Sequence, residues 1–354
     1  MQRQTENFEN MLLSIIIPVY NVEAYIEKCI ISLQDQDIPK EAYEIIIIND
    51  GSPDNSREVI LRLMKHFQNI VFIDQENKGV SLARNAGMEV ASGKYLLFID
   101  PDDYVVPNSF NRVLQAAIYN EAQIVFLGFE FLKRDGSLRK EMFYREIAAG
   151  VYNGMDAYHH SRTKDTLDPD RIWAILFDRD FINKKACRFI SNVPYLEDGE
   201  FISRVLCLAE CCVFEHTPFY MRTIREGSAT NSNLFFADKA MHGFLNASGN
   251  LKLFYESPQL SSSQREFMNQ PVVKFVLLTI ESSFQFGNWQ RMIIAKKKLK
   301  EFGLGKLSLE KVRHPFKIYG RLYNISPFCF IAYLFLIKFR VSMKVKLNRL
   351  TNIR

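Results

Sequence analysis

Leu12-Leu-Ser-Ile-Ile-Ile-Pro-Val-Tyr20 is a short, continuous run rich in β-branched residues, the composition of a strand buried on both faces. Outward from it, three runs of the same kind follow: Glu44-Ile-Ile-Ile-Ile-Asn-Asp50, Ile70-Val-Phe-Ile-Asp74 and Tyr95-Leu-Leu-Phe-Ile-Asp100. Helix-length segments near 22–36, 54–67 and 79–91 separate them, with Pro53 suited to a first helical position after Ser52 and Gly93 suited to a C-terminal cap. Strand, helix and strand at this spacing mean βαβ crossovers, so the expected fold class is α/β, with a mostly parallel central sheet flanked by helices. Past residue 105 the pattern loosens into a helix from about 107, a strand at Ile124-Val-Phe-Leu-Gly-Phe129 and a hairpin around Arg134-Asp-Gly-Ser137, read as a mixed sheet edge. From about 235 glycine and proline thin out, and segments 235–256, 264–286 and 289–302 carry helix-compatible patterns. The expected division is therefore 1–230 for the α/β domain and 231–354 for a helical C-terminal region.

Composition supports a folded chain: 354 residues with 47% apolar and 24% charged side chains exclude wholesale disorder and low-complexity scaffolds. The longest apolar run, Phe328 to Ile337, has ten residues, short of the roughly eighteen that span a bilayer, so no integral span is expected. The polar start, and Pro18 inside the first apolar stretch, do not fit a secretory signal, and the expected location is the cytoplasm. Six cysteines without a Cys-x-x-Cys pair read as free thiols in a reducing compartment; Cys207 and Cys211, expected one helical turn apart, read as apolar fillers rather than metal ligands. Net charge is +5, but ten of the 45 basic residues fall in the last 44 positions, where there is no acid, leaving 35 basic against 40 acidic residues upstream.

In open α/β sheets a ligand binds outside the carboxyl ends of the strands, and here those ends are polar: Pro18-Val-Tyr-Asn21, Asn49-Asp50-Gly-Ser52, Asp74-Gln-Glu-Asn77 and Asp100-Pro-Asp-Asp103. Each alone is an ordinary turn, but acidic groups from three strands on one rim form a pattern. Asp100 to Asp103 reads as a site for a hard divalent cation beside a diphosphate, the alternative being a solvated acidic turn. Arg84, in the first turns of the third helix, either reaches a phosphate or pairs with an acid. Tyr195-Leu-Glu-Asp-Gly-Glu200 opens an apolar helix, where a carboxylate serves as a cap or as a general base. No Gly-x-Ser-x-Gly elbow, Gly-x-Gly-x-x-Gly turn or P-loop lysine motif occurs, so nucleophilic hydrolase, dinucleotide and ATPase readings lack their machinery.

Ser14-Ile-Ile-Ile-Pro-Val-Tyr-Asn21, Ile48-Asn-Asp-Gly-Ser52, Asn77-Lys-Gly-Val-Ser-Leu-Ala-Arg-Asn-Ala-Gly87 and Phe98-Ile-Asp-Pro-Asp-Asp103, in this order, resemble the family 2 inverting glycosyltransferases, which have the Rossmann-like GT-A fold. The likeness continues through Ile172-Trp-Ala-Ile-Leu-Phe177, Leu196-Glu-Asp-Gly199 and Arg225-Glu-Gly-Ser228, about the first 230 residues. The resemblance implies a nucleotide-sugar donor, usually UDP-linked, with Pro18, Tyr20, Asp50, Arg84, Asp100 and Asp102 on its side of the site. Asp50 would recognise the base, Asp102 would coordinate Mg²⁺ or Mn²⁺ against the diphosphate, and Asp198 would deprotonate the acceptor hydroxyl. Gln-x-x-Arg-Trp is missing after the Glu-Asp pair, which separates the chain from processive synthases and favours one sugar per acceptor. A sugar nucleotidyltransferase would be expected to show a Gly-rich loop after the first strand; a non-catalytic nucleotide-sugar binder would leave the donor intact.

The tail adds a partner expectation. From Phe328, the residues Phe330, Leu334, Ile337, Val341 and Val345 recur at helical spacing, and Lys338, Arg340, Lys344, Lys346 and Arg349 accompany them without an acid. This pattern reads as peripheral attachment to the inner face of the cell membrane, near a glycan or lipid-linked glycan acceptor, with packing on the body as the alternative; nucleic acid is not an expected partner.

Overall fold

A computed structural model of the chain describes residues 11–132, 137–142, 144, 146–162, 170–191, 193–223, 233–285 and 288–351. The chain divides into two compact units, Met1–Ser191 with Glu197–Asn231, and Asn192–Leu196 with Ser232–Arg354.

The first unit is built on β1 (Leu13–Val19), β2 (Tyr43–Asp50), β3 (Ile70–Gln75) and β4 (Tyr95–Phe98), joined by α1 (Glu23–Gln34), α2 (Ser56–Met64) and α3 (Val80–Val90). All four strands are parallel in the order β3-β2-β1-β4, with Ile15 opposite both Ile45 and Leu97. β1 and β2 are buried along their whole length, as unbroken isoleucine runs require, whereas β3 is the edge and leaves Val71 exposed. The chain then adds β5 (Tyr104–Val105), α4 (Phe110–Tyr119), β6 (Ile124–Leu132), β7 (Leu138–Met142), α5 (Gly154–His160), β8 (Ile175–Asp178), α6 (Arg179–Lys184), α7 (Glu197–Leu208) and β9 (Cys212–Thr223). The sheet continues from β4 as β8-β6-β9-β5, with β7 on the side of β6. β8 is antiparallel to both β4 and β6, and β9 is parallel to β6. The α/β expectation holds, with a mixed second half. Strand order reverses at β1, which places the crevice of an open sheet outside the ends of β1 and β4.

Three local readings are corrected. Pro53 is not the first residue of α2, which starts at Ser56; Asp54 accepts from the Ser56 and Glu23 backbone N–H groups, and Ser56 Oγ accepts from Val22 N–H, so the starts of α1 and α2 cap one another. Gly93 is not the cap of α3, which closes at Ala91. A Cβ on Gly93 would lie 2.5 Å from the Ser14 backbone nitrogen, so glycine is needed where this turn presses on β1. There Ser14 Oγ takes the Gly93 N–H and donates to the buried Glu44 carboxylate at 2.6 Å. α7 ends at Leu208, so Cys211 lies off the helix, not one turn from Cys207; both are free thiols, and burial pushes Cys207 up to about 12. β6 and β7 pair antiparallel as the hairpin reading requires, but its turn residues 133–136 lie outside the described residues, as does Arg225–Ser228.

The second unit holds α8 (Asp238–Tyr255), α9 (Ser262–Ser283), α10 (Gln290–Glu301), α11 (Phe316–Ile325) and α12 (Pro327–Thr351). Ser261 and Gln264 form a capping box that starts α9. Phe244, Leu251, Met268, Phe275, Val276, Leu299 and Phe330 are in its core. No helix among the described residues is long and apolar enough to cross a membrane.

Candidate active site

The rim is built where β1, β2 and β4 end. Pro18 lies inside β1 and is buried; it comes past the last β1–β4 register pair, Ile16 with Phe98, where a missing N–H interrupts no pairing to β4. Tyr20, one residue beyond β1, is 51% exposed on the rim. Asp50 closes β2 and is buried. Its Oδ1 accepts from Gln75 Nε2 at 2.7 Å and Lys78 N–H at 2.8 Å, and its Oδ2 from Gly79 N–H at 2.8 Å. This carboxylate therefore fastens the β3–α3 loop to the end of β2 and fixes the start of the helix that carries Arg84.

Beyond β4, the carboxylates of Asp100, Asp102 and Asp103 bring oxygens within 4.8 Å of one another. Their roles differ. Asp103 is buried, accepting from Tyr220 Oη at 2.8 Å and from the Thr223 N–H at 2.8 Å, so it ties β9 to the acidic turn. Tyr220 Oη in turn accepts the Asp100 N–H, and its ring stacks on Trp173 at 4.9 Å. Asp102 and Asp100 remain half-buried. Burial raises the Asp100 carboxyl, opposed by Arg84 and reinforced by Asp102; burial, with Asp102 and Asp100, raises Asp103 well above the carboxylate range. Crowded oxygens on a tight turn are the donor set of a hard divalent cation, and excess negative charge is what such an ion offsets, so these residues fit Mg²⁺ or Mn²⁺.

Arg84 is the junction. It is 4% exposed, and its Nη1 donates to Asp198 Oδ1 at 2.7 Å and to Glu197 Oε1 at 3.0 Å, while Nη2 lies 3.6 Å from Asp100 Oδ1. Of the two sequence readings of Arg84, the structure shows pairing with acids, and the partners are 113 and 114 residues away in the chain. Burial acts to lower the guanidinium pKa, but Asp198, Glu197 and Asp100 outweigh it and raise it. Burial, opposed by Arg84 and reinforced by Glu197 and Asp100, pushes Asp198 up to about 8. Three carboxylates around one guanidinium leave net negative charge with little water to screen it, and a proton is held more tightly there.

Three supports were missed in the sequence. Glu197 binds Arg84 beside Asp198, and adjacency in the Glu-Asp pair was its only signal. Asn85 grips the backbone of Phe189 in both directions, at 2.8 and 2.9 Å, setting the Phe189 ring 5.3 Å from the Arg84 guanidinium. Tyr220 and Thr223 lie on a strand whose pattern carries no motif. Tyr195 and Leu196, immediately before α7, both have φ of 62°, a left-handed pair that turns the chain into the helix bearing Glu197 and Asp198.

An open α/β sheet with an acidic crevice rim gives the architectural class, and comparison with known proteins narrows it. Residues 14–172 match the family described as glycosyl transferase family 2. The chain is 35% identical over 191 residues to the uncharacterized glycosyltransferase EpsJ of Bacillus subtilis, covering 54% of each, and 38% identical over 193 residues to the poly(ribitol-phosphate) beta-glucosyltransferase of Bacillus spizizenii, covering 54% of this chain and 29% of that one. The alignment thus spans about half or less of these relatives' lengths. Among solved structures, residues 1–349 of Staphylococcus aureus TarS in complex with UDP superpose with a TM-score of 0.64 at 17% identity, covering 90% of this chain and 89% of that one; TarS was also solved with UDP-GlcNAc. Residues 14–172 thus form a glycosyl transferase family 2 domain, and the fold is GT-A.

Proposed function

We propose that this protein is an inverting glycosyltransferase that moves a single sugar from a nucleotide-sugar, UDP-linked, to a hydroxyl of a glycan or lipid-linked glycan. The observation that carries the reading is Arg84, shared between Asp100 on the acidic turn and the Glu197–Asp198 pair that opens α7. A donor on the strand-end rim and an acceptor beside α7 then meet at one buried cation. The UDP and UDP-GlcNAc complexes of TarS support the choice of donor.

In this mechanism Tyr20, Pro18 and the loop fastened by Asp50 bind the nucleoside end of the donor. Asp102 would hold a divalent cation, which would supply Lewis-acid neutralisation of the departing diphosphate. Asp198 accepts the proton of the acceptor hydroxyl as that oxygen attacks the anomeric carbon and the bond to the diphosphate oxygen breaks, inverting the configuration. Once ionised, a carboxyl whose pKa is pushed up to about 8 is a stronger base toward the acceptor hydroxyl than an ordinary carboxylate. Arg84 keeps Asp198 oriented until the acceptor arrives. The acceptor is placed at the inner face of the cell membrane, a reading supported by the acid-free basic tail.

Hydrolysis of a panel of UDP- and GDP-sugars, with and without Mg²⁺ or Mn²⁺, tests the reading. Cleavage of one donor in a metal-dependent manner is expected, and it is abolished by Asp102→Ala. An intact panel, with nucleotide-sugar binding retained, would leave a binding module instead.

A further inference from the structure

Helix α12 has two apolar sides. Phe330 and Ile331 are buried, with Leu334 and Ile337 half-buried beside them, so most of the stripe expected to meet a membrane is turned inward. Phe330 packs on Tyr319 of α11 with ring centroids 5.8 Å apart. The opposite side is also apolar: Phe328, Ala332, Phe335, Leu336 and Phe339 fall within about 100° of the helix circumference at 3.6 residues per turn, and all five are exposed, Leu336 at 60% and Phe339 at 64%. Side chains of Val341, Lys344, Val345, Lys346 and Arg349 lie outside the described residues, although the helix continues to Thr351.

Charge flanks this outer stripe. Lys338, bonded to Glu281 at 3.0 Å, and Arg340 sit on its two sides, where long basic side chains keep their heads in water while their stems cover apolar surface. Trp289, the residue ahead of α10, is exposed and places its ring 5.4 Å from Phe328, so the surface continues toward α10. α10 exposes Ile293 and Ile294 among Lys296, Lys297, Lys298 and Lys300. A cavity of about 530 Å³ lies beside the stripe and shares Phe335 and Lys338 with it, its wall otherwise mostly aromatic and aliphatic.

We propose that the outer side of α12, with Trp289 and the exposed face of α10, docks on an anionic lipid bilayer, the aromatic and aliphatic side chains entering the headgroup boundary and the lysines and arginines meeting lipid phosphates. Charge complementarity selects this occupant. The last 44 residues carry ten basic groups and no acid, which favours an anionic surface, and an aromatic stripe bordered by basic residues is the pattern of an interfacial helix. The inference deepens the membrane-side acceptor proposed above and rests on it; it replaces the inward stripe with the outward one as the contact.

Cosedimentation of the full chain with phosphatidylcholine vesicles, with and without phosphatidylglycerol, tests it. Recovery with the anionic vesicles only is expected, falling at least about tenfold for Leu336→Glu with Phe339→Glu, and about fivefold per charge for Arg340→Gln and Lys297→Gln. Thermal melts establish that each variant folds; the charge variants alter exposed side chains and keep the test alive if the double glutamate variant does not. Wild-type recovery that is equal for both vesicles, or unchanged in the folded variants, overturns the surface. So does a dimer that the stripe variant dissolves without any vesicle binding, since a second copy then covers the face. Donor hydrolysis is read on the same preparations: hydrolysis without vesicle recovery overturns the docking surface alone, and recovery without hydrolysis overturns the transferase reading alone.

Discussion

The acidic rim of the first unit and the outer side of α12 in the second place opposite kinds of side chain where folding alone would not put them. At the rim, charge is buried: Arg84, Asp50 and Asp103 are almost fully removed from water and are held by hydrogen bonds within the protein, although the buried Arg84 Nε has no partner among the described residues. On α12 apolar rings and leucine are left in water. Burying charge costs free energy that only close pairing offsets, and exposing an apolar stripe forgoes the stabilisation of covering it. The comparison teaches that the first region is completed inside the chain, while the second awaits something outside it. Substitutions at the rim should therefore damage activity, and stability too where they strip a buried group of its partner, whereas substitutions on the stripe should damage neither.

The sharpest break is at the base. Asp198→Asn preserves shape but cannot take the acceptor proton, so transfer should fall about 10²–10⁴-fold with UDP affinity nearly unchanged. Steady-state rates at saturating substrates, with calorimetry for UDP, check this; near wild-type turnover would assign the base to another residue. Arg84→Leu comes next, because it leaves Asp198, Glu197 and Asp100 without their shared cation. A loss of about 3–5 kcal/mol in urea unfolding at pH 7 is expected.

The Asp198 pKa supplies a pH test of the same comparison. Burial, opposed by Arg84 and reinforced by Glu197, Asp100 and Asp170, puts the folded value near 8, above the ordinary 3.8. The carboxyl thus contributes stability that is fully present below the unfolded pKa and is lost as pH rises through the folded one. Wild type should lose stability relative to Asp198→Asn between about pH 4 and 8, and kcat/KM for transfer should rise across the alkaline end of that window as the base ionises. Parallel stability curves would mean that Asp198 titrates normally.

Tyr220→Phe is smaller in effect. It removes one donor from the buried Asp103 carboxylate and the acceptor of the Asp100 N–H, with an expected cost of about 1–3 kcal/mol by denaturant unfolding. Smallest is Leu336→Gln on α12, expected within about 0.5 kcal/mol of wild type. A large loss there would mean that the stripe is packed in the folded protein, and the contrast between the two regions would fail.

How much of this was legible follows from the range of each interaction. The β-branched runs of β1, β2 and β4 and the polar residues that end them read directly, because a strand buried on both faces leaves an unbroken apolar signature and its end must change character. Arg84 was visible as a cation near a rim, but its partners were not: they arrive from α7, more than a hundred residues on, and nothing local marks the pairing. Gly93 carried the signature of a helix cap, yet its role is the 2.5 Å approach to Ser14, a contact between segments 79 residues apart. Pro53 failed for a similar reason, since the helix starts of α1 and α2 are capped by each other's side chains rather than by the nearest candidate. On α12 helical spacing established that apolar residues share sides; it could not say which side meets the body.

By itself the sequence determined the parallel half of the sheet, the position of an acidic rim at the strand ends and the family, because these depend on local periodicity and on short motifs in a set order. Only the tertiary structure decided that Asp103 anchors β9 while Asp102 stays half-buried beside it, that Arg84 is shared among three carboxylates, and that the exposed side of α12 is the one opposite Phe330. Those outcomes depend on which distant segments pack together, and burial and hydrogen-bond satisfaction are settled by that packing rather than by any stretch of chain alone.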